Sequence, residues 1–122
     1  MASARVLVVD DESIVLGLVS NALSRRGYQV HAASTPQEAL EMVRDLPCFD
    51  VMVSDVIMPE MCGPELVRRV ILICPNVAIV LISGFITAEA LPEGAAFVSK
   101  PFALTDLYEA VEKVLALSGF RA

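Results

Sequence analysis

Four apolar runs in this chain each end in a polar group, and the groups are of types that handle phosphate. Val6-Leu7-Val8-Val9 runs into the acidic pair Asp10-Asp11, and Val51-Met52-Val53-Ser54 runs into Asp55. Residues 77–82 end in Ser83-Gly84, and Ala96-Phe97-Val98-Ser99 ends in Lys100-Pro101-Phe102. In an open parallel sheet, ligands bind at the carboxyl edge of the strands, so these ends are candidates for one shared site. Magnesium takes carboxylate and water oxygens in an octahedral shell with few protein ligands plus phosphate. Asp11, Asp55 and the main-chain carbonyl of Ile57 are candidate ligands, with Asp10 acting through water. A carboxylate beside a metal can also attack phosphorus, giving an aspartyl phosphate. Lys100 would then neutralise phosphoryl oxygens and the Ser83 hydroxyl would donate a hydrogen bond to one. Charge on those equatorial oxygens is what phosphoryl transfer must stabilise.

Helical segments must connect these strands. Ile14, Val15, Leu18, Val19, Ala22 and Leu23 recur at helical spacing, and Arg25-Arg26-Gly27 supplies basic residues and a glycine cap for the last turn. Residues 28–33 read as a short strand. Thr35-Pro36-Gln37-Glu38 is a capping box with proline at the first helical position, opening a helix that stops at Pro47. Leu66, Val67, Val70 and Ile71 mark a third helix after Gly63-Pro64, ending before Pro75-Asn76. Residues 87–91 allow one or two helical turns before Pro92 and Gly94. A final helix runs through Leu104, Leu107, Val111, Val114 and Leu115 to Gly119. The βα unit thus repeats five times with the fourth helix reduced. That alternation predicts an α/β parallel sheet with right-handed crossovers and helices on both faces. The Met and Leu residues are expected in the core.

Size and composition narrow the function. At 122 residues the chain fits one domain, and 56% hydrophobic residues without Trp suit a sheet covered on both faces. Nine basic against fifteen acidic residues give a net charge of -6, which argues against direct nucleic-acid binding. The apolar stretches are of strand length, so no membrane role is expected, and residues 1–5 lack the apolar core of a secretory signal. Cys48, Cys62 and Cys74 are odd in number and lack CxxC spacing. Reduced cytosolic thiols are therefore the expectation, without a zinc site or a disulfide. His31 has no second His or Cys nearby and reads as structural or exposed.

Asp10-Asp11, Asp55-x-x-Met58-Pro59 with Gly63, Ser83-Gly84 and Lys100-Pro101-Phe102 together resemble the response-regulator receiver domain of two-component signalling. The resemblance covers essentially all of residues 1–122 as a single domain. It implies a flavodoxin-like, doubly wound sheet with strand order 2-1-3-4-5 and helices on both faces, from which this chain departs by its shortened helix four. By the same resemblance Asp55 matches the phosphoacceptor, Asp10 and Asp11 the metal-binding acids, and Lys100 the phosphate-pairing lysine. Ser83 and Phe97 match the residues that switch on phosphorylation, and Lys100-Pro101 matches a cis peptide. Mg2+ is the implied cofactor. The implied partners are a sensor histidine kinase or histidine phosphotransfer protein, and a downstream protein or output domain, in the cytoplasm. The chain is then a signalling module whose only chemistry is its own phosphorylation and dephosphorylation.

Taken singly, Asp10-Asp11 is an ordinary helix cap, Ser83-Gly84 a common turn pair, Lys100 a surface lysine and Phe97 a core aromatic. Glu12 belongs to the first helical turn, where it would act on the metal site only through its field. An aspartyl phosphohydrolase similar to haloacid dehalogenases would need a second Asp at position 57, which is Ile57, and a cap domain. A receiver-like interaction domain that works without phosphate would be expected to lack an acid or the lysine. Ala103 stands where Ser or Thr is frequent, which predicts that the final helix starts later, near Thr105-Asp106. The segment between Ser83 and Lys100 is shorter than in the family, so the family's dimer face does not transfer and the oligomeric state is open. Ending just after its last helix, the chain reads as a free-standing regulator or as the receiver of a longer protein such as a hybrid sensor kinase. Ile57 and Phe85 are bulky and apolar where an attacking water would be oriented, which predicts slow self-dephosphorylation.

Overall fold

The computed structural model describes residues 3–84 and 94–119. In chain order the elements are β1 (Arg5–Val9), α1 (Ser13–Arg25), β2 (Gln29–Ala33), α2 (Pro36–Asp45), β3 (Val51–Asp55), α3 (Gly63–Ile73), β4 (Ala78–Ser83), β5 (Ala96–Ser99) and α4 (Leu104–Ser118). The five strands form one parallel sheet, as the alternation of elements predicts, in the order β2-β1-β3-β4-β5 that the resemblance implies. The short helix expected over residues 87–91 lies outside the described residues, as does Phe85.

Strand alternation divides the apolar residues between two cores. Leu7, Val9, Met52, Ile79 and Leu81 meet α2 and α3 through Leu40, Val43, Leu66, Val67 and Val70. Val6, Val8, Val51, Val53, Val80 and Ile82 meet α1 and α4 through Val19, Leu23, Leu107, Val111 and Val114. Strands covered on both faces have no polar side to alternate with, which is why β1, β3 and β4 read as continuous apolar runs.

Local signals set most helix ends. Thr35 Oγ1 accepts from the Glu38 N–H at 3.1 Å, and Pro36 opens α2, as the capping box predicts. Gly27 and Gly119 follow α1 and α4 in the left-handed region, at φ 93° and 81°. The final helix corrects one expectation. It begins at Leu104 rather than near Thr105-Asp106, because Asp106 Oδ2 accepts from the Ala103 N–H at 3.1 Å and closes the first turn without a capping hydroxyl.

Two further expectations fail. Not every Leu is core: Ile14 and Leu18 on α1, Leu72 on α3 and Leu117 on α4 are exposed, with Ile14 85% and Leu72 84% accessible. Helical spacing marks a stripe, and Leu18 and Leu117 sit near its border whereas Ile14 and Leu72 fall on the solvent side of their helices. The cysteines are not all free thiols. Cys48, before β3, and Cys74, capping α3, form a disulfide with Cα atoms 5.7 Å apart, while Cys62 is free and exposed. The two are 26 residues apart and meet only because the chain entering β3 and the chain leaving α3 both return to the amino edge of the sheet, a proximity no local spacing encodes.

Candidate functional site

Sheet register assembles the site. Val9 pairs with Ser54, so the next residues, Asp10 and Asp55, leave adjacent strands side by side. Asp55 pairs with Ile82, and Ser83 with Ser99, which brings Ser83 and Lys100 to the same edge. The Lys100 N–H donates to the Ser83 carbonyl at 2.8 Å, and the Lys100–Pro101 peptide is cis, as the resemblance implies.

Three carboxylates converge there. Asp10, Asp11 and Asp55 each offer an oxygen within 4.8 Å of the other two, with Asp10 and Asp55 buried and Asp11 exposed. The Lys100 ammonium lies against them, 3.1 Å from Asp55 Oδ2, where it donates a hydrogen bond, and 3.7 Å from Asp10 Oδ2. It also stands 3.6 Å from Glu12 Oε1. Glu12 therefore contacts the lysine directly, where only an effect through its field was expected. Among the described residues Lys100 pairs with three of these acids and Asp11 adds a fourth carboxylate, a negative surplus that suits a divalent cation.

The local backbone orients the acids. The Glu12 N–H donates to Asp10 Oδ1 at 2.9 Å, and the Ile57 N–H to Asp55 Oδ1 at 3.3 Å. Burial raises the Asp10 carboxyl above its ordinary 3.8; the Glu12 N–H opposes this, and the Asp55 charge adds to it. For Lys100, burial pulls the ammonium down, but the Asp55 hydrogen bond and the surrounding carboxylates outweigh it and leave the group above 10.5.

Gly63 is a site residue whose role the sequence did not disclose. A Cβ on it would stand 2.4 Å from the Asp55 carbonyl oxygen and 3.0 Å from Val56 Cα. The Gly63 N–H donates to the Val56 carbonyl at 2.7 Å. Its φ is unexceptional, so it is close approach, not backbone conformation, that demands glycine here. Ser83 is 1% exposed at the end of β4. Phe97 pairs with Leu81 and packs, half-buried, against the core shared with α2 and α3, apart from the acids. The Ile57 side chain is 54% exposed beside Asp55 in sequence.

Residues 6–112 match the response regulator receiver domain family. The chain belongs to that family. It is 41% identical over 119 residues to the sensor kinase CckA of Brucella abortus, covering 93% of this chain and 13% of that protein. It is 37% identical to the response regulator receiver protein CpdR of the same organism, over 91% of this chain and 96% of that one. Among solved structures, a CheY-like receiver domain protein from Methanospirillum hungatei superposes with a TM-score of 0.88 at 26% identity, over 97% of this chain and 98% of its own. Receiver domains are the phosphoacceptors of two-component signalling, and this chain has their fold in full strand order. No described helix is long and apolar enough to cross a membrane.

Proposed function

We propose that residues 1–122 form one cytoplasmic receiver domain in which Asp55 accepts a phosphoryl group from a phosphohistidine, and that Asp10, Asp11, Asp55 and the Ile57 main-chain carbonyl hold Mg2+. The convergence of three carboxylate oxygens within 4.8 Å, with Lys100 at 3.1 Å from Asp55, carries this reading. Hard oxygen donors in a negative cluster fit magnesium and not a thiophilic metal. Bound there, the ion supplies positive charge against the transferring phosphoryl oxygens.

The protein's own residues do the rest. An Asp55 oxygen attacks phosphorus, the bond from phosphorus to the donor imidazole nitrogen breaks, and that nitrogen keeps the electron pair. Ile57 N–H holds the other Asp55 oxygen in place. Lys100 leaves its Asp55 hydrogen bond for a phosphoryl oxygen, and the Ser83 hydroxyl donates to another. Drawing Ser83 toward the phosphoryl group opens space along β4, which Phe97 on the adjoining β5 turns inward to fill. The altered β5 surface is what a downstream protein or output domain reads. The donor is a sensor histidine kinase or a histidine phosphotransfer protein, and the likeness to a segment of a sensor kinase supports a hybrid-kinase setting.

Incubation with acetyl phosphate and Mg2+, read by intact mass, tests the assignment. The parent should gain one phosphoryl group, and Asp55→Asn or EDTA should abolish it. If acetyl phosphate is inert, beryllofluoride should still raise Tm in a magnesium-dependent way. Failure of both would sink the phosphoacceptor assignment.

A further inference from the structure

The disulfide between Cys48 and Cys74 lies at the sheet edge opposite the carboxylate cluster, and nothing in the phosphoryl chemistry uses it. We propose that it is a thiol-accessible, reversible disulfide, and that Cys48 is the sulfur through which small thiols and disulfides of the glutathione class exchange with it.

Placement, access and charge carry the inference. The Cα separation of 5.7 Å falls within the range a disulfide spans, so bridging these two positions needs no backbone movement. Burial is unequal: Cys48 is exposed, whereas Cys74 is 2% accessible. A cavity of about 240 Å³, lined by Cys48, Phe49, Cys74, Asn76 and Ser118 among others, opens beside the bridge and admits a small nucleophile. The Arg5 guanidinium donates to the carbonyls of Pro47 and Cys48, the latter at 3.0 Å, which sets a cation beside Cys48. Asp50 also lines the cavity, but its Oδ2 accepts from the Arg5 backbone N–H at 2.7 Å. Cys74 has the opposite surroundings. It caps the carboxyl end of α3 and is buried, so an incoming thiol or disulfide meets Cys48 first.

These surroundings fix the order of events. On oxidation, the Cys48 thiolate attacks a glutathione-type disulfide, forming a mixed disulfide and releasing one thiolate. Cys74 then gives up its proton to solvent and attacks Cys48 Sγ, closing the bridge and releasing the second thiolate. Two electrons pass from the cysteine pair to the small disulfide, which leaves as two thiols. Reduction runs in reverse: a thiolate attacks Cys48 Sγ, Cys74 departs and takes up a proton, and a second thiol frees Cys48. Closing the bridge ties the chain entering β3 to the end of α3, the helix whose first residue, Gly63, abuts Asp55.

The test uses the Cys62→Ser protein, so that only this pair reports, and needs no phosphoryl donor; its failure is therefore separate from failure of the phosphoacceptor reading. Native protein is equilibrated in mixtures of reduced and oxidised glutathione, quenched with acid, then alkylated with N-ethylmaleimide in denaturant so that buried Cys74 is counted, and weighed intact. Two maleimides at reducing ratios and none at oxidising ratios are expected, interconverting without denaturant. The bridged form should melt about 10 °C higher. Adding Cys74→Ser should leave a glutathione adduct on Cys48. Should that buried substitution prevent folding, Cys48→Ser, at an exposed position, should remove the redox dependence of Tm and carry no adduct on Cys74. Two maleimides at every ratio, or a bridge that opens only in denaturant, would overturn the proposal. Adduct formation at Cys74 in the Cys48→Ser protein would overturn the assignment of Cys48.

Discussion

Asp10 shows what gathering carboxylates at one sheet edge costs the fold. Its carboxyl is raised above 3.8 by burial and by the Asp55 charge, so the folded state takes up a proton there more readily than the unfolded chain does. The charged form is therefore destabilising at neutral pH. That penalty is relieved as pH falls through the raised folded value and is gone below 3.8. Without metal, Asp10→Asn should stabilise the protein at pH 7 by on the order of 1 kcal/mol. The advantage should shrink on acidification and vanish below the unfolded value, as paired melting curves from pH 7 to 4 will show. The same variant should bind Mg2+ more weakly. At Ile57 the prediction is kinetic. A half-exposed apolar side chain beside Asp55 orients no water, so Ile57→Asn should speed loss of the phosphoryl group on the order of tenfold, followed by intact mass after donor removal. An unchanged half-life would remove Ile57 as a shield. These acids and Lys100 were legible in the sequence because each follows an apolar run directly. Glu12 was not, since its contact with Lys100 depends on where the turn after β1 sends a long side chain.

At the scale of elements, β3 and α3 are joined with no room to spare, and Gly63 is where this is decided. A Cβ 2.4 Å from a backbone oxygen cannot be relieved by a rotamer change, so Gly63→Ala must move either the start of α3 or the Asp55 backbone. The expected loss is roughly 1–3 kcal/mol in urea unfolding, the usual range for overpacking, together with slower reaction with acetyl phosphate. Thr35→Ala is the matched control. It removes the Oγ1 cap on the Glu38 N–H at the start of α2, and should lose about 1 kcal/mol with the phosphorylation rate unchanged. If both variants lost reactivity alike, the effect of Gly63 would be one of general stability and not of position. The Thr35 cap and the buried strands were readable because their signals are local: a hydroxyl three residues before an acid, and unbroken apolar runs. Gly63 was visible only as part of a motif, because the Asp55 carbonyl it avoids comes close only once the loop between β3 and α3 has folded back on the strand end. The same reason hid the early start of α4, set by Asp106 rather than by the capping position itself.

For the whole molecule, the parallel sheet was legible because a βα alternation with buried strands leaves few topologies open, while its strand order was legible only through the resemblance to receiver domains. The Cys48–Cys74 contact was not, since it depends on two connections meeting at the far edge of that sheet. One consequence of the arrangement is global. The acids at the carboxyl edge repel one another in a chain already carrying a net charge of -6, and Lys100 offsets only part of that repulsion. A cation that binds the folded site and not the unfolded chain adds stability as RT ln(1 + [L]/Kd), about 2.7 kcal/mol at one hundred times Kd. For a domain of this size that corresponds to a rise in Tm of about 10 °C. Sodium chloride at matched ionic strength should reproduce little of it, because screening acts weakly on the buried Asp10 and Asp55. Asp55→Asn should reduce the magnesium-dependent rise, since it removes a ligand along with some of the repulsion. Equal rises with magnesium and sodium would mean that the cluster responds to ionic strength alone, and would leave the carboxylates without a metal to hold.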